Sequence, residues 1–152
     1  MKIAILGGTG EQGFGLALRL AKRYEIIIGS RRREKAEESA ERIKKILSSK
    51  GISYKDVVGM ENREASREGD IVILSIPYEY IISTVKDLKE ELKGKTVVSI
   101  GVPLAGVIGD KPTRVVLPPQ GSVAEMVQEY LKDSKVVSAF QNVSAKVLES
   151  ID

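Results

Sequence analysis

The sequence predicts an α/β fold in which a doubly wound parallel sheet carries helices on both faces. Short apolar runs of strand length alternate with helical patterns along the chain, which is typical of parallel sheets covered by helices. A glycine-rich loop directly follows the first of these runs. With 152 residues, of which 42% are hydrophobic and 30% charged, the chain has the balance of a globular domain with a core of its own. We therefore expect one domain over residues 1–152.

The elements are predicted in order from apolar runs and from apolar residues at helical spacing. The second helix shows the helical period most clearly, because an apolar stripe runs through a segment whose other positions are mostly charged. The residues of this stripe are Ala36, Ala40, Ile43 and Leu47. Strands are expected near residues 2–7, 25–29, 70–76, 96–100 and 135–140, and helices near residues 12–22, 33–49, 79–92 and 122–132.

Two connecting segments are less regular. Residues 54–58 are expected to form a short third strand, followed by one or two helical turns around residues 63–67. The segment 101–121 is rich in glycine and proline, and it is longer than a loop that only connects two elements of a compact domain. The next residue is Ser122, and together with Glu125 it fits a capping box that opens the following helix.

The glycine-rich loop contains the pattern G-x-G-x-x-G at Gly8, Gly10 and Gly13, directly behind the apolar residues 3–6. In dinucleotide-binding folds the first glycine lets the strand turn tightly and the second lets the backbone approach a pyrophosphate. The third lets helix and strand pack closely. The following helix would aim its free N–H groups and its positive dipole end at the phosphates. Because it lies between a strand and a helix, the motif predicts a Rossmann-like dinucleotide-binding domain.

The end of the second strand indicates which dinucleotide is bound. NAD-specific domains place an acidic side chain there to hold the ribose hydroxyls, whereas this strand runs into three arginines, Arg31 to Arg33. The nearest carboxylate, Glu34, falls inside the following helix. The cluster can be read as a solvated basic surface, but cations at a helix N-terminus oppose the helix dipole and favour a nearby anion. We predict that Arg31 and Arg32 bind the 2′-phosphate of NADP, with a hydroxyl contact from Ser30.

Composition excludes several other classes of function. Without histidine or cysteine, the chain has no His-dependent hydrolytic site, no disulfide and no expected metal site. The absence of disulfides suits a reducing cytoplasm, which is the expected location. A net charge of +3 and few aromatic residues argue against nucleic acid binding, and no apolar run is long enough for a membrane span. Small molecules are therefore the expected partners.

The sequence also restricts the kind of reaction that the chain can catalyse. Extended short-chain dehydrogenases share the Gly-Gly-Thr-Gly opening but need a Tyr-x-x-x-Lys pair, which none of the 5 tyrosines forms here. A carbonyl reductase must stabilise the developing alkoxide, either by protonating it or with fixed hydrogen-bond donors. We therefore expect a hydride acceptor that needs no such acid. Transfer between two cofactors fits, because the cofactors themselves carry the chemistry.

Several separated motifs resemble those of one family. In chain order they are Gly7 to Gly10 with Gly13 to Ala21, Gly29 to Arg32, Ile76 to Glu79, Gly101 to Leu104, and Ser138 to Val143. They are similar to the archaeal reduced coenzyme F420:NADP oxidoreductases, especially to those of methanogens. The resemblance implies reversible hydride transfer between NADP and coenzyme F420, an 8-hydroxy-5-deazaflavin, with the two rings stacked face to face.

The resemblance also implies a role for each motif. The glycine loop would meet the pyrophosphate, Ile76 and Pro77 the nicotinamide-side ribose, and residues 141–143 the two rings, while residues 101–121 would form a wall of the deazaflavin pocket. No residue is expected to act as a catalytic acid or base. The expected cofactor-binding residues are Gly8, Thr9, Gly10, Glu11, Gln12, Gly13, Ser30, Arg31, Arg32, Ile76, Pro77, Val102, Pro103, Gln141, Asn142 and Val143. The alternative for the segments at 76–77 and 141–142 is purely structural, as a strand ending at a proline and as turn residues.

The family's chains continue beyond the position of Asp152, and the resemblance implies that their C-terminal part helps to build the deazaflavin pocket and a homodimer. We expect residues 1–152 to be the NADP-binding portion, either of a longer protein or of a site completed by a second protein. Two other functions stay open. One is a non-catalytic NADP-binding sensor module, and the other is an NADP-dependent imine or 2-oxoacid reductase without its C-terminal domain.

Overall fold

The computed structural model describes residues 1–111 and 113–151, and in them strands alternate with helices as the sequence predicts. The strands are β1 (Lys2–Leu6), β2 (Glu25–Ser30), β3 (Val57–Glu61), β4 (Ile71–Leu74), β5 (Thr96–Ser99) and β6 (Lys135–Ser138). The helices are α1 (Glu11–Leu20), α2 (Arg33–Ser49), α3 (Asn62–Glu68), α4 (Tyr78–Asp87), α5 (Lys89–Leu92), α6 (Val123–Tyr130) and α7 (Ala145–Glu149), and a 3-10 turn covers Ala105–Ile108.

The strands form a parallel sheet in the order β3-β2-β1-β4-β5-β6. Alternate residues of β1 point to opposite faces, as the pleat requires. Ile3 and Ile5 pack in an apolar cluster with residues of α1, α2 and α7, whereas Ala4 and Leu6 pack in a second cluster with residues of α3 to α6. The predicted doubly wound sheet with helices on both faces is therefore confirmed.

The order of the strands decides where a ligand can bind. From β1 the chain moves outward to β3, and it then returns to place β4 beside β1 before it moves outward again to β6. The connections that leave β1 and β4 therefore run in opposite directions, which opens a crevice at the carboxyl ends of these two strands.

The third strand begins three residues later than predicted, at Val57 instead of residue 54. The register with β2 pairs Val57 with Ile26 and Gly59 with Ile28, and it extends the strand through residues that look like a turn in the sequence. A Cβ at Gly59 would lie 2.2 Å from the backbone nitrogen of Glu37. Glycine is needed in this strand because α2 passes directly over it.

Three further features differ from the prediction. The helix expected over residues 79–92 is divided at Leu88 into α4 and α5, and the last strand ends at Ser138 because Phe140 turns the backbone away with φ 66°. The helix α7 was not predicted. It is only five residues long, and tertiary contacts through the buried Leu148 and Ile151 hold it against the rest of the fold.

The predicted start of α6 is confirmed, because the Ser122 hydroxyl accepts a hydrogen bond of 3.1 Å from the backbone N–H of Glu125. Among residues 1–111 and 113–151, none of the helices combines the length and the apolar character needed to span a bilayer.

Candidate functional site

A cleft of about 640 Å³ opens at the carboxyl edge of the sheet, at the crevice that the strand order creates. Its walls come from the loop after β1, the end of β2, the segments after β3 to β6, and one face of α4. The lining residues are Gly7, Thr9, Gly10, Glu11, Gln12, Ser30, Arg31, Asn62, Ser75, Ile76, Pro77, Tyr78, Tyr80, Ser83, Thr84, Ile100, Gly101, Val102, Phe140 and Gln141.

The glycine loop turns at Gly7, not at Gly8 as the motif suggests. Gly7 has φ 73°, and a Cβ there would lie 2.2 Å from the carbonyl oxygen of Ser75. Gly8 is buried, and its own Cβ would meet the carbonyl oxygen of Ile5 at 2.8 Å. Gly13 lets α1 pack on the loop as expected, because a Cβ there would lie 2.8 Å from the Gly8 Cα. The assignment of the tight turn to Gly8 was therefore wrong by one residue.

The other end of the loop is open. Among the residues that the structure describes, the atom nearest to a Cβ at Gly10 would be the Gly7 carbonyl oxygen at 3.5 Å, so the space above this residue is open to a ligand. The first helical hydrogen bond runs from the N–H of Phe14 to the carbonyl of Gly10 at 2.8 Å. The preceding N–H groups of residues 11–13 therefore have no acceptor within the described part of the chain. Such a set of donors at a helix N-terminus fits a phosphate group.

The arginines after β2 differ in their surroundings. Arg33 forms ion pairs with Glu64 and, at 3.9 Å, with Glu37. The side chains of Arg31 and Arg32 are exposed and form no ion pair with the residues that the structure describes. Arg31 lines the cleft, whereas Arg32 does not. Two of the three cations thus remain free to meet an anion, and these are the two that the sequence selects.

A side pocket of about 370 Å³ continues the cleft beyond Ser30 and Arg31, toward Arg63 and Leu88. Arg63 is held at its rim by Glu91, at 2.6 Å, and by Asp87, at 3.0 Å. The hydrogen bond that Arg63 donates to the Glu91 carboxylate raises the pKa of the guanidinium, which keeps its charge.

Asn62 lines both the cleft and the side pocket, and sequence reasoning missed it. It follows β3 directly, and its buried Oδ1 atom has no hydrogen-bond partner among residues 1–111 and 113–151. The signal was available, because residues at the carboxyl ends of parallel strands face the ligand crevice. The sequence does not single out Asn62, because the predicted third strand ends at residue 58, four residues earlier.

The ends of β4 to β6 converge on the opposite wall. Ile76 and Pro77 follow β4, Val102 follows β5, and Gln141 follows β6, so the topology brings these distant predicted residues to one cleft. The amide nitrogen of Gln141 donates to the Ser99 carbonyl at 2.8 Å and to the Ser138 hydroxyl at 2.7 Å. This amide is therefore bound to the end of the sheet.

The expected cofactor-binding residues divide into two groups. Those that line the cleft are Thr9, Gly10, Glu11, Gln12, Ser30, Arg31, Ile76, Pro77, Val102 and Gln141. Those that do not line it are Gly8, Gly13, Arg32, Pro103, Asn142 and Val143. Besides Asn62, the sequence also missed the polar face of α4, where Tyr80, Ser83 and Thr84 share a helical side toward the cleft.

Taken together, these features suit a phosphorylated dinucleotide. The glycine loop leaves room for a pyrophosphate, and Arg31 and Arg32 have no ion pair among the described residues. The Asn62 side chain lines the cleft, with an Oδ1 atom that is buried without a partner in that part of the chain. The wall formed by Ile76, Pro77 and Val102 is apolar and suits a ring at the other end.

Comparisons with known proteins agree with this geometry. The sequence profile of the family described as "NADP oxidoreductase coenzyme F420-dependent" matches residues 2–103. The chain is 70% identical to the F420-dependent NADP reductase of Methanocaldococcus jannaschii over 152 residues, which are 100% of this chain and 68% of that protein. It is 40% identical to the F420-dependent NADP reductase of Methanothermobacter marburgensis, covering 99% of this chain and 67% of that protein.

A solved structure is also similar. A chain from Arthrobacter sp. FB24, described as a candidate F420-dependent NADP reductase, superposes with a TM-score of 0.75 at 26% identity, covering 97% of this chain and 65% of that chain. This chain thus spans about two thirds of the length of its relatives. The resemblance seen in the separated motifs is confirmed, and the chain belongs to the family of coenzyme F420-dependent NADP oxidoreductases.

Proposed function

We propose that residues 1–152 form the NADP-binding domain of an oxidoreductase that transfers a hydride, in either direction, between NADP and coenzyme F420. One observation carries the proposal: a single cleft connects the phosphate-binding features of β1 and β2 with the apolar ends of β4 to β6. Relatives that bear the name F420-dependent NADP reductase support the identity of both substrates.

The phosphate end of the proposed site contains fixed donors. The free N–H groups at the start of α1 would receive the pyrophosphate, and the open space above Gly10 would let it approach the backbone. Arg31 and Arg32 would hold the 2′-phosphate, since guanidinium groups pair with phosphate oxygens in a fixed geometry. Ser30 is 8% exposed, and its hydroxyl already accepts from the Arg32 N–H at 3.3 Å, which orients the start of this cluster.

The residues at the ring end of the proposed site would hold the two cofactor rings in place, and none of them would act as an acid or a base. When bound, the nicotinamide and the deazaflavin supply the hydride chemistry themselves. Ile76, Pro77 and Val102 would exclude water from the rings and press them together, and Gln141 and residues 142–143 would border them. Face-to-face stacking of the rings is part of this proposal.

Three wider features complete the proposal. The natural protein acts as a homodimer, because the resemblance implies a dimer in this family. It acts in the cytoplasm, which suits a chain without cysteine. Its partners are small molecules and not nucleic acids, in keeping with a net charge of +3.

The test is spectroscopic. The protein as its natural gene encodes it is mixed with NADP and reduced coenzyme F420, and the return of the oxidised deazaflavin absorbance is followed. Return of the absorbance at a rate proportional to the protein concentration supports the proposal. Tight binding of NADP without turnover would instead favour a sensor role.

A further inference from the structure

The segment after β6 folds back onto α1. Arg19 donates hydrogen bonds to the carbonyls of Leu148 at 3.0 Å, Val147 at 2.6 Å and Ser150 at 2.9 Å, which holds the end of α7. A Cβ at Gly15 would lie 2.6 Å from the Leu148 Cβ, so the two helices are in close contact. One face of α1 therefore packs against the C-terminal segment.

At the cleft end of this contact lies Gln12. Its amide nitrogen donates to the carbonyl of Val143 at 2.9 Å and, more weakly, to the carbonyl of Phe140 at 3.4 Å. Gln12 also belongs to the first turn of α1, where its backbone N–H is one of the free donors that face the phosphate site. A single residue therefore joins the phosphate loop to the turn after β6.

The turn that receives this hydrogen bond is strained. Phe140 has φ 66°, which is unusual for a residue with a Cβ and persists only where the surroundings hold it. The N–H of Val143 donates to the Phe140 carbonyl at 3.2 Å to close the turn, and Gln141 is attached to the sheet through Ser99. Phe140 and Gln141 form part of the cleft wall, so any change in this turn moves that wall.

We propose that Gln12 is a positioning residue that transmits occupancy of the phosphate site to the turn at residues 140–143, and so places the ring end of the cleft for hydride transfer. This proposal rests on the proposed function above, because the ring end is assigned there. The side chain of Gln12 acts through the turn, whereas its backbone N–H serves the phosphate.

The proposal is tested with Gln12→Met in the natural full-length protein, since methionine keeps the length of the side chain and removes the donor. The backbone N–H remains, so the dissociation constant for NADP is expected to change by less than about twofold. The value of kcat for hydride transfer to or from the deazaflavin is expected to fall about three- to tenfold, which is the loss expected for one well-formed hydrogen bond. An unchanged kcat, or a loss that falls only on NADP affinity, overturns the proposal.

Gln128→Met is the matched control. The Gln128 amide nitrogen likewise donates to two carbonyls, those of Leu131 at 2.7 Å and Ser134 at 3.0 Å, and its amide oxygen accepts from the Val136 N–H at 3.1 Å, but this residue does not line the cleft. Gln128→Met should lower stability at least as much as Gln12→Met, because it also removes the acceptor of the Val136 N–H, and it should leave kcat unchanged. If Gln128→Met lowers kcat as much as Gln12→Met, the effect is a general loss of stability, and the proposal fails.

A third variant, Gln12→Glu, adds a pH signature. An ionised carboxylate would repel the two carbonyl oxygens, whereas a protonated one can donate as the amide does, and these acceptors favour the protonated form. The kcat of Gln12→Glu relative to the natural protein should therefore rise as the pH falls from about 8 to about 5, while that of Gln12→Met stays flat. A flat ratio for both variants contradicts a role of the donor.

Hydrogen exchange tests the coupling without turnover. In the natural protein, addition of NADP should slow amide exchange in residues 139–145, and in Gln12→Met this effect should fall by about threefold or more. Equal protection in both proteins overturns the coupling. If the natural protein shows no deazaflavin turnover at all, the proposed function fails, and this exchange experiment alone decides the role of Gln12.

Discussion

Gly7 and Ser75 join the ends of β1 and β4 so closely that a Cβ on Gly7 would lie 2.2 Å from the carbonyl oxygen of Ser75. Gly7 also has φ 73°, so conformation and space both require glycine there. Both residues line the cleft at the point between β1 and β4 where the order of the strands along the sheet reverses. Their close contact explains why the turn precedes the first glycine of the recognised motif.

Replacing Gly7 by alanine should destabilise the fold strongly. The added methyl group meets backbone, which cannot move aside as a side chain would, and we expect a loss of roughly 3–5 kcal/mol in the free energy of unfolding. The measurement is urea-induced unfolding followed by circular dichroism. Gly51→Ala is the control, because Gly51 has φ 66° but its Cβ would meet no atom of residues 1–111 and 113–151 within 4 Å. It should lose only about 1–2 kcal/mol, and equal losses in both variants would refute the role of the contact.

Removing both free arginines should abolish the preference for NADP. In the double variant Arg31→Ala with Arg32→Ala, we expect NADP affinity to fall roughly 100-fold, because two charge-assisted contacts to the 2′-phosphate are lost. NAD affinity should stay within about twofold, since NAD has no such phosphate. Calorimetric titration with each dinucleotide gives both constants.

Arg33→Ala serves as the control for that experiment. Its guanidinium is already paired with Glu64 and Glu37, so NADP affinity should change by less than about twofold. If Arg33→Ala lowers NADP affinity as much as the double variant does, the ion pairs of Arg33 do not decide which arginines bind the 2′-phosphate.

Asn62→Ala should weaken NADP binding and leave the free protein as stable as before. The buried Oδ1 atom lacks a partner in the described structure, so its removal costs the free protein little and relieves a desolvation penalty. Asn62 lines the cleft, and a turn of its buried amide toward a bound ribose hydroxyl or adenine amino group would give Oδ1 a donor, so we expect its loss to reduce NADP affinity about three- to tenfold. Thermal unfolding with and without NADP separates the two effects. A large loss of stability without ligand would contradict this assignment.

Glu91 should make stability depend on pH in the acid range. Burial raises the pKa of this carboxyl. Hydrogen bonds from Arg63 and Arg67 and the charge of Arg63 lower the pKa by more than burial raises it, so the net shift is downward. The carboxylate is thus stabilised in the folded state, and its contribution is complete above the unfolded pKa and is lost as the pH falls through the folded one. We expect Glu91→Gln to cost about 1–3 kcal/mol at pH 7.

The difference between Glu91→Gln and the natural protein should shrink as the pH falls below about 4.5, where the carboxyl of the unfolded chain takes up a proton, and it should vanish once the folded carboxyl is protonated as well. Urea unfolding at several pH values provides the test. Glu90→Gln is the control, because Glu90 is exposed and forms no ion pair with the described residues. A difference that stays constant down to low pH would rule out the charge of Glu91 as its source.

Much of the fold could be predicted because the signals are local. The stripe of α2, the N-cap at Ser122 and the apolar runs of the strands depend only on near neighbours in the sequence. The errors arise where distant contacts override the local pattern. Gly59 looks like a turn residue, but it lies within β3 because α2 passes over it, and α7 is a short helix that its contacts with α1 hold in place.

The candidate site shows the same division. The position of the phosphate loop, the absence of an acid after β2 and the three arginines were visible in the chain itself. The orphaned acceptor of Asn62 was not, because it depends on where the third strand ends and on what covers the side chain.

By itself the sequence determined the order of strands and helices, the class of ligand at the first loop and the family of the chain, since short spacings and residue types encode these properties. Only the tertiary structure decided that Gly7 makes the turn, that Arg33 is already paired, and that Gln12 reaches across 131 positions to Val143. The physical reason is that a hydrogen bond or an ion pair needs atoms within a few ångströms. Residues so far apart in the chain reach that distance only after the sheet and both helical layers have packed.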